Sequence, residues 1–161
     1  NRVIHGHSLE NTAEGVLDFK ISHRFGMVNT GFHELFGLDN AMVRIGFDYG
    51  ISDQLTVGIG RSSFRKIYDS FIKYKFLRQS KGEKNMPITA AWLSALDFQG
   101  TKNNPDPDGK LSSRMAFTHQ VIVGSKISES FSLQAMPTFV HRNLVDFNEN
   151  NNVFALRFVI N

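Results

Sequence analysis

The chain has 161 residues, which gives room for one domain, and it contains no Cys. The missing thiols exclude disulfides, iron–sulfur ligation and catalysis by a Cys nucleophile. A net charge of +3 and a pI near 9.3 would favour a nucleic-acid partner only if the cations formed one patch, whereas here they alternate with apolar residues. No stretch approaches the roughly twenty apolar residues of a spanning helix, so any membrane crossing must be made by strands.

The chain begins with an irregular segment and continues with a regular one. Residues 1–15 are polar and follow no pattern, which predicts an N-terminal arm. Within residues 16–25, Leu17 and Phe19 share one face while Asp18 and Lys20 share the opposite face. An apolar face opposite a charged face over about ten residues is typical of a strand that has lipid on one side and a polar interior on the other.

The same alternation recurs along the rest of the chain. Residues 26–40 interrupt it with a connection whose apolar residues predict a short amphipathic helix: Phe32, Leu35, Phe36 and Leu38. Seven further strands are predicted over residues 41–50, 55–63, 67–78, 87–98, 111–124, 131–142 and 153–160. A length of about ten residues suits a tilted strand that crosses hydrocarbon, whereas strands of globular proteins have about five to six.

These patterns predict an all-β fold, in which residues 16–161 form an antiparallel, up-and-down transmembrane β-barrel with eight strands in this chain. A soluble all-β fold, whose apolar faces would meet a protein core, is the alternative that alternation alone leaves open. The connections after strands one, five and seven are long and those after two and six are short, which favours an outer-membrane barrel. The connection after strand three breaks this rule, and the one after strand four is longer than the rule predicts. Both termini are expected on the periplasmic side.

Charged side chains dominate the faces that are predicted to look inward. These predicted lumen charges are Asp18, Lys20, Arg24, Arg44, Asp48, Asp69, Lys73, Lys75, Arg114, Arg142 and Arg157. The interior of an eight-stranded barrel is only wide enough for side chains, so in that case the charges pair with one another and fill the tube. In a barrel with more strands, the excess of cations would instead line a narrow pore with a preference for anions.

Three histidines, His23, His119 and His141, fall on faces that are predicted to meet lipid. An imidazole in hydrocarbon is costly unless it finds a partner, so these residues are candidate contacts with lipid or with a partner protein. A lipid hydrolase could use His119 or His141 with a serine such as Ser22 or Ser113. Because no carboxylate is placed to orient the imidazole, we predict no catalytic residue and no enzymatic activity.

A second pair of histidines, His5 and His7, lies in the N-terminal arm with one residue between them. An extended arm would point both imidazoles the same way, as a metal pair requires. Such pairs in an arm rarely bind metal, so we predict neither a metal site nor a cofactor.

Three long segments, residues 2–26, 33–63 and 128–145, carry a family resemblance. Through them the chain resembles an uncharacterised outer-membrane β-barrel family of Bacteroidota, known as a domain of unknown function. The resemblance implies a fold and a location but no reaction or substrate. Members of that family look longer than this chain, which is therefore expected either to close with eight strands or to form part of a larger barrel.

The function that we predict is that of a non-enzymatic outer-membrane β-barrel protein, acting as a structural component or as a platform for partners. Its expected partners are outer-membrane lipid and other outer-membrane or periplasmic proteins. A small anion-leaning, porin-like pore is the first alternative, and a lipid-acting outer-membrane hydrolase is the second.

Overall fold

The computed structural model describes residues 2–3, 6–39, 41–82, 85–101, 110–128 and 131–160. Within these residues, one antiparallel sheet contains eight long strands: β1 (Leu17–Arg24), β2 (Met42–Gly50), β3 (Leu55–Ser62), β4 (Ile67–Leu77), β5 (Thr89–Gln99), β6 (Met115–Lys126), β7 (Ser132–Arg142) and β8 (Asn152–Ile160). Each strand pairs with the strands that precede and follow it in the chain. The predicted eight-stranded, antiparallel, up-and-down fold is therefore confirmed.

The sheet is open, because β1 and β8 form its two edges and do not pair with each other. Seven of the eight strands begin and end within about two residues of their predicted bounds. The prediction for strand six was wrong at its start. Leu111–Arg114 form a short 3-10 helix, and β6 begins only at Met115.

The connection between β1 and β2 contains 3-10 turns over Val28–Gly37 in place of a regular amphipathic helix. Leu35 and Phe36 have φ angles of 44° and 54°, in the left-handed region that interrupts a right-handed helix. None of the helices formed by the described residues is long and apolar enough to span a membrane.

The two faces of the sheet differ sharply in exposure. Phe19, Ile59 and Phe158 are 57%, 61% and 63% exposed, whereas Asp48 and Lys73 are each 1% exposed. In a water-soluble protein this distribution would be inverted, because large apolar side chains form the core and Asp and Lys are almost never fully buried. We call the face that carries Asp48 and Lys73 the inner face and the opposite one the outer face.

The pairing register keeps the same face together across neighbouring strands. Phe19 of β1 lies opposite Phe47 of β2, which in turn lies opposite Ile59 of β3. One position along, Asp48 lies opposite Gly58, so a charged residue on the inner face is matched by a small one. A slip of one residue would exchange the two faces of a strand, and the alternation therefore fixes the register.

The segment that precedes β1 lies over the inner face. Residues Ser8 and Thr12 of this segment are only 7% and 4% exposed. The inner face of β5–β7 supplies apolar residues to the same layer, since Leu93, Ile122 and Met136 are buried. The core of the described structure thus lies between the N-terminal segment and the sheet.

Candidate functional site

The inner face contains two clusters of ion pairs, and the first joins β1 to β2. Asp18 lies directly opposite Asp48 in the register, and two facing carboxylates would repel each other without a cation. Lys20 supplies that cation: its Nζ forms an ion pair with Asp48 and lies 3.5 Å from Asp18 Oδ2. Thr12 of the N-terminal segment adds a hydrogen bond of 3.4 Å to the Asp18 carboxylate.

The second cluster spans three strands. Arg44 on β2 and Asp69 on β4 form a two-bond pair, in which Arg44 Nε donates to Asp69 Oδ1 at 2.8 Å and Nη2 bonds Oδ2. The strand between them presents Gly60, which lies opposite both Asp69 and Gly46. A Cβ at Gly46 would lie 2.6 Å from Arg44 Nη1, so the glycines leave the space that the guanidinium occupies.

Lys73 holds the N-terminal segment to the sheet and forms no salt bridge with the described residues. Its Nζ donates hydrogen bonds to the backbone carbonyls of Ser8, at 3.2 Å, and Glu10, at 2.6 Å. An ammonium buried this deeply must be hydrogen-bonded, because an unsatisfied buried charge is strongly unfavourable. The carbonyl oxygens meet that requirement without neutralising the positive charge.

Further contacts attach the same segment along its length. Gln134 Nε2 donates to the His7 carbonyl at 3.2 Å, and the imidazole of His7 packs on the ring of Phe71 with centroids 4.4 Å apart. Near the start of β1, Gly15 N donates to Gly50 O at 2.8 Å. A side chain at Gly50 would collide with the carbonyls of residues 12 and 13. The segment is therefore fitted to the sheet through its backbone.

Polar atoms remain unpaired in the layer between the segment and the sheet. Asn11 Oδ1, Asp48 Oδ1 and Thr56 Oγ1 are buried without a hydrogen-bond partner among the described residues. Asp48 belongs to the Lys20 pair, and Thr56 lies opposite Lys73 in the register. Asn11 Nδ2 donates to the Asp53 carbonyl at 3.2 Å. This layer is consequently polar as well as tightly enclosed.

Five further predicted lumen charges lie at other positions of the fold. Arg142 pairs with Glu149 of the following loop at 3.5 Å, and both side chains are about half exposed. Arg114 belongs to the 3-10 helix before β6, and its guanidinium lies 5.3 Å from the centre of the Phe98 ring. The remaining three lie on the strands, with Lys75 opposite Ala91, Arg24 opposite Met42 and Arg157 opposite Met136.

The three histidines that were predicted to face lipid all lie on the outer face, each with its own contact. His23 packs against Phe25 with ring centroids 4.5 Å apart, and His119 stacks on Trp92 at 6.1 Å. His141 Nδ1 forms a hydrogen bond of 2.7 Å with Asn152 Oδ1.

The hydrolase alternative requires a serine hydroxyl bonded to one of these imidazoles. Ser94 lies opposite His119 in the register, but within the described part of the chain neither His119 nor His141 hydrogen-bonds a serine. The absence of enzymatic activity stays a prediction. For the metal pair, His5 lies outside the described residues, and the described residues contain no group of three or more metal-binding side chains.

Sequence reasoning missed the N-terminal segment as part of this site. The acceptors for Lys73 are backbone carbonyls, which every residue carries, so no side-chain pattern in residues 1–15 marks them. The burial of Lys73 was equally hidden. Its place in the alternation predicts only that it faces inward.

An up-and-down sheet with an apolar outer face and an ion-paired inner face defines the wall of a membrane β-barrel. A family model described as a membrane bound beta barrel domain (DUF5777) matches residues 1–161, and the chain belongs to that family. The family decides against the soluble all-β alternative and confirms the resemblance in fold and membrane setting. The outer membrane and Bacteroidota stay predictions. No curated protein and no solved structure matches the chain.

Proposed function

We propose that this chain is a non-enzymatic outer-membrane β-barrel protein that acts as a structural component and as a platform for partner strands. The observation that carries the proposal is the pair of unpaired sheet edges, β1 and β8. These edges are eight and nine residues long. In hydrocarbon, every backbone N–H and C=O group must be hydrogen-bonded within protein, so both edges need a neighbouring strand.

The filling of the inner face supports a structural role over transport. The charges of the Lys20–Asp48 and Arg44–Asp69 pairs neutralise each other, and the N-terminal segment covers Lys73. An interior that is filled by side chains and backbone has little room for a solute path. Placement in the outer membrane is supported by the long connections after β1, β5 and β7 at one end of the sheet and the short turns after β2 and β6 at the other. The short β3–β4 and the longer β4–β5 connections depart from this pattern.

Site-specific photo-crosslinking in membranes tests the platform. Because the chain has no Cys, Ser22→Cys on β1 gives a single attachment point for a benzophenone maleimide. Besides peptides of the neighbouring strand β2, mass spectrometry of the adducts should identify peptides outside both β2 and residues 152–160, which would be the strand added at this edge. Ser70→Cys in the middle of the sheet is the control and should yield only its neighbours β3 and β5. Adducts of Ser22→Cys with only β2 and β8 would mean that eight strands close the barrel and would overturn the platform.

A small anion-leaning pore is the second candidate, and Lys75 on the inner face favours it. Lys75 lies opposite Ala91 and forms no ion pair with a described carboxylate. Added strands would widen the interior around this positive region. Conductance in planar bilayers separates the two functions. Negligible conductance is expected for the structural role, whereas a steady conductance with an anion-selective reversal potential would identify a pore.

A further inference from the structure

The outer face carries a groove of about 520 Å³ that crosses β2 to β5. Its apolar lining comes from Ile45, Phe47, Ile59, Leu96 and Phe98. The register explains the depression: Ser70 lies between Ile59 of β3 and Leu96 of β5, and its small side chain leaves a gap in a row of large ones. The groove therefore opens on the face that meets lipid.

A cation lies at one end of this groove. Arg61, near the end of β3, lies opposite Tyr68 of β4, and both side chains line the groove. Arg61 Nε donates to the Tyr68 hydroxyl at 3.2 Å, and the guanidinium carbon lies 5.5 Å from the centre of the Tyr68 ring. The Tyr68 ring lies next to Gly100, where an added Cβ would come within 3.3 Å of its Cε2 atom.

The Arg61 guanidinium retains most of its binding capacity. Only Nε is used toward Tyr68, and Arg61 forms no ion pair with a carboxylate among the described residues. Asp69 of β4 also lines the groove, but its carboxylate is paired with Arg44 on the inner face. The Nη groups and the Tyr68 O–H can therefore donate to an anion at the end of the groove.

From this geometry we infer that the groove is a binding site for an anionic, phosphate-bearing membrane lipid. An acyl chain would lie along the gap above Ser70, between Ile59 and Leu96. The phosphate would accept hydrogen bonds from Arg61 and Tyr68. Guanidinium groups match phosphate oxygens in a two-bond geometry, and the low dielectric of the membrane strengthens that bond. The charge and the groove together favour a lipid with a net negative headgroup over a zwitterionic one of equal chain length.

Lipid retention by the purified protein tests the site. Full-length protein in dodecyl maltoside is titrated with phosphatidylglycerol or with phosphatidylcholine of the same acyl chains, and native mass spectrometry counts the bound lipids. The unaltered protein should prefer phosphatidylglycerol. Arg61→Ala should weaken phosphatidylglycerol binding roughly tenfold, the loss expected for a charge-assisted hydrogen bond, and weaken phosphatidylcholine binding less, so that the preference for the anionic lipid falls. Ser70→Leu fills the gap and should weaken binding of both lipids.

Two matched variants control for charge and for size. Arg78→Ala removes an exposed cation beyond the other end of β4, and Ala135→Leu enlarges a small residue on β7, outside the groove. Neither should change the preference. Arg61→Gln keeps a polar but shorter, uncharged side chain and provides a second variant if Arg61→Ala fails to fold. Equal phosphatidylglycerol binding by the Arg61 variants and the unaltered protein would overturn the site, as would equal losses in Ser70→Leu and Ala135→Leu.

Discussion

Arg44 on β2 and Asp69 on β4 are joined across the whole width of β3, over the Cα atom of Gly60. An interaction that skips a strand ties three strands into one register, which cross-strand pairs between neighbours cannot do. The side chains are 18% and 17% exposed, so water screens the pair only weakly. Gly60 is required because any side chain there would occupy the position of the guanidinium.

Gly60→Ala is expected to break this pair. Its Cβ would lie 2.6 Å from Arg44 Cζ, and the flexible end of Arg44 would move away rather than the backbone. The cost is therefore the lost charge-assisted bonding, about 1.5–3 kcal/mol of unfolding free energy. Urea unfolding in lipid vesicles measures it. In an Asp69→Asn background the same substitution should cost much less, because the ion pair is already gone. Equal costs in both backgrounds would show that the penalty is steric.

The Lys20 cluster predicts a difference between its two carboxylates. The side chain of Asp48 is 2% exposed and that of Asp18 is 38% exposed, although both face Lys20. Asp48→Asn should therefore destabilise the fold by about 2 kcal/mol or more, because it leaves a half-buried ammonium poorly paired, whereas Asp18→Asn should cost under about 1 kcal/mol. Unfolding midpoints of the two variants in the same vesicles make the comparison. Equal losses of unfolding free energy in the two variants would contradict the idea that burial of Asp48 strengthens its pair with Lys20.

Lys73→Met should release the N-terminal segment from the inner face. The substitution keeps most of the side-chain length but leaves the carbonyls of Ser8 and Glu10 without their donor. Amide hydrogen exchange in residues 8–14 should accelerate by roughly tenfold or more, the factor expected for losing one or two such bonds. Lys75→Met is the control on the same strand and should leave the exchange of these residues unchanged. Slow exchange in Lys73→Met would mean that other contacts hold the segment.

The strands were predictable from the sequence because each carries its own two-residue period over about ten residues. Ile45, Phe47 and Tyr49 alternate with Arg44 and Asp48 so regularly that only one placement buries the charges. Sheet closure was not predictable in the same way. Closure depends on pairing between residues far apart in the chain. The alternating pattern of an edge strand, β1 or β8, does not indicate which strand pairs with its free edge.

The individual ion pairs could not be predicted from the alternating sequence pattern either. Inward-facing cations and acids can pair in several ways, and the choice of Asp69 for Arg44 follows from the glycines between them. The predicted start of a strand was wrong where a local hydrogen bond favours a turn over an extended strand. At Leu111–Arg114, Ser113 Oγ donates to the Lys110 carbonyl at 2.5 Å. Serine side chains that bond a nearby carbonyl favour turns over extended strand.

Replacing the outer-face histidines His119 and His141 by Phe should change the unfolding free energy in opposite directions. His119 stacks on Trp92 and has no hydrogen-bond partner among the described residues, whereas His141 bonds Asn152. His119→Phe should keep the stacking and remove a polar ring from lipid, which stabilises the fold by up to about 1 kcal/mol. His141→Phe should destabilise it by about 1 kcal/mol, because the Asn152 amide loses its partner at the lipid surface. Unfolding in vesicles measures both. Destabilisation by His119→Phe would mean that this imidazole serves a partner or a reaction, and would reopen the functional assignment of the outer face.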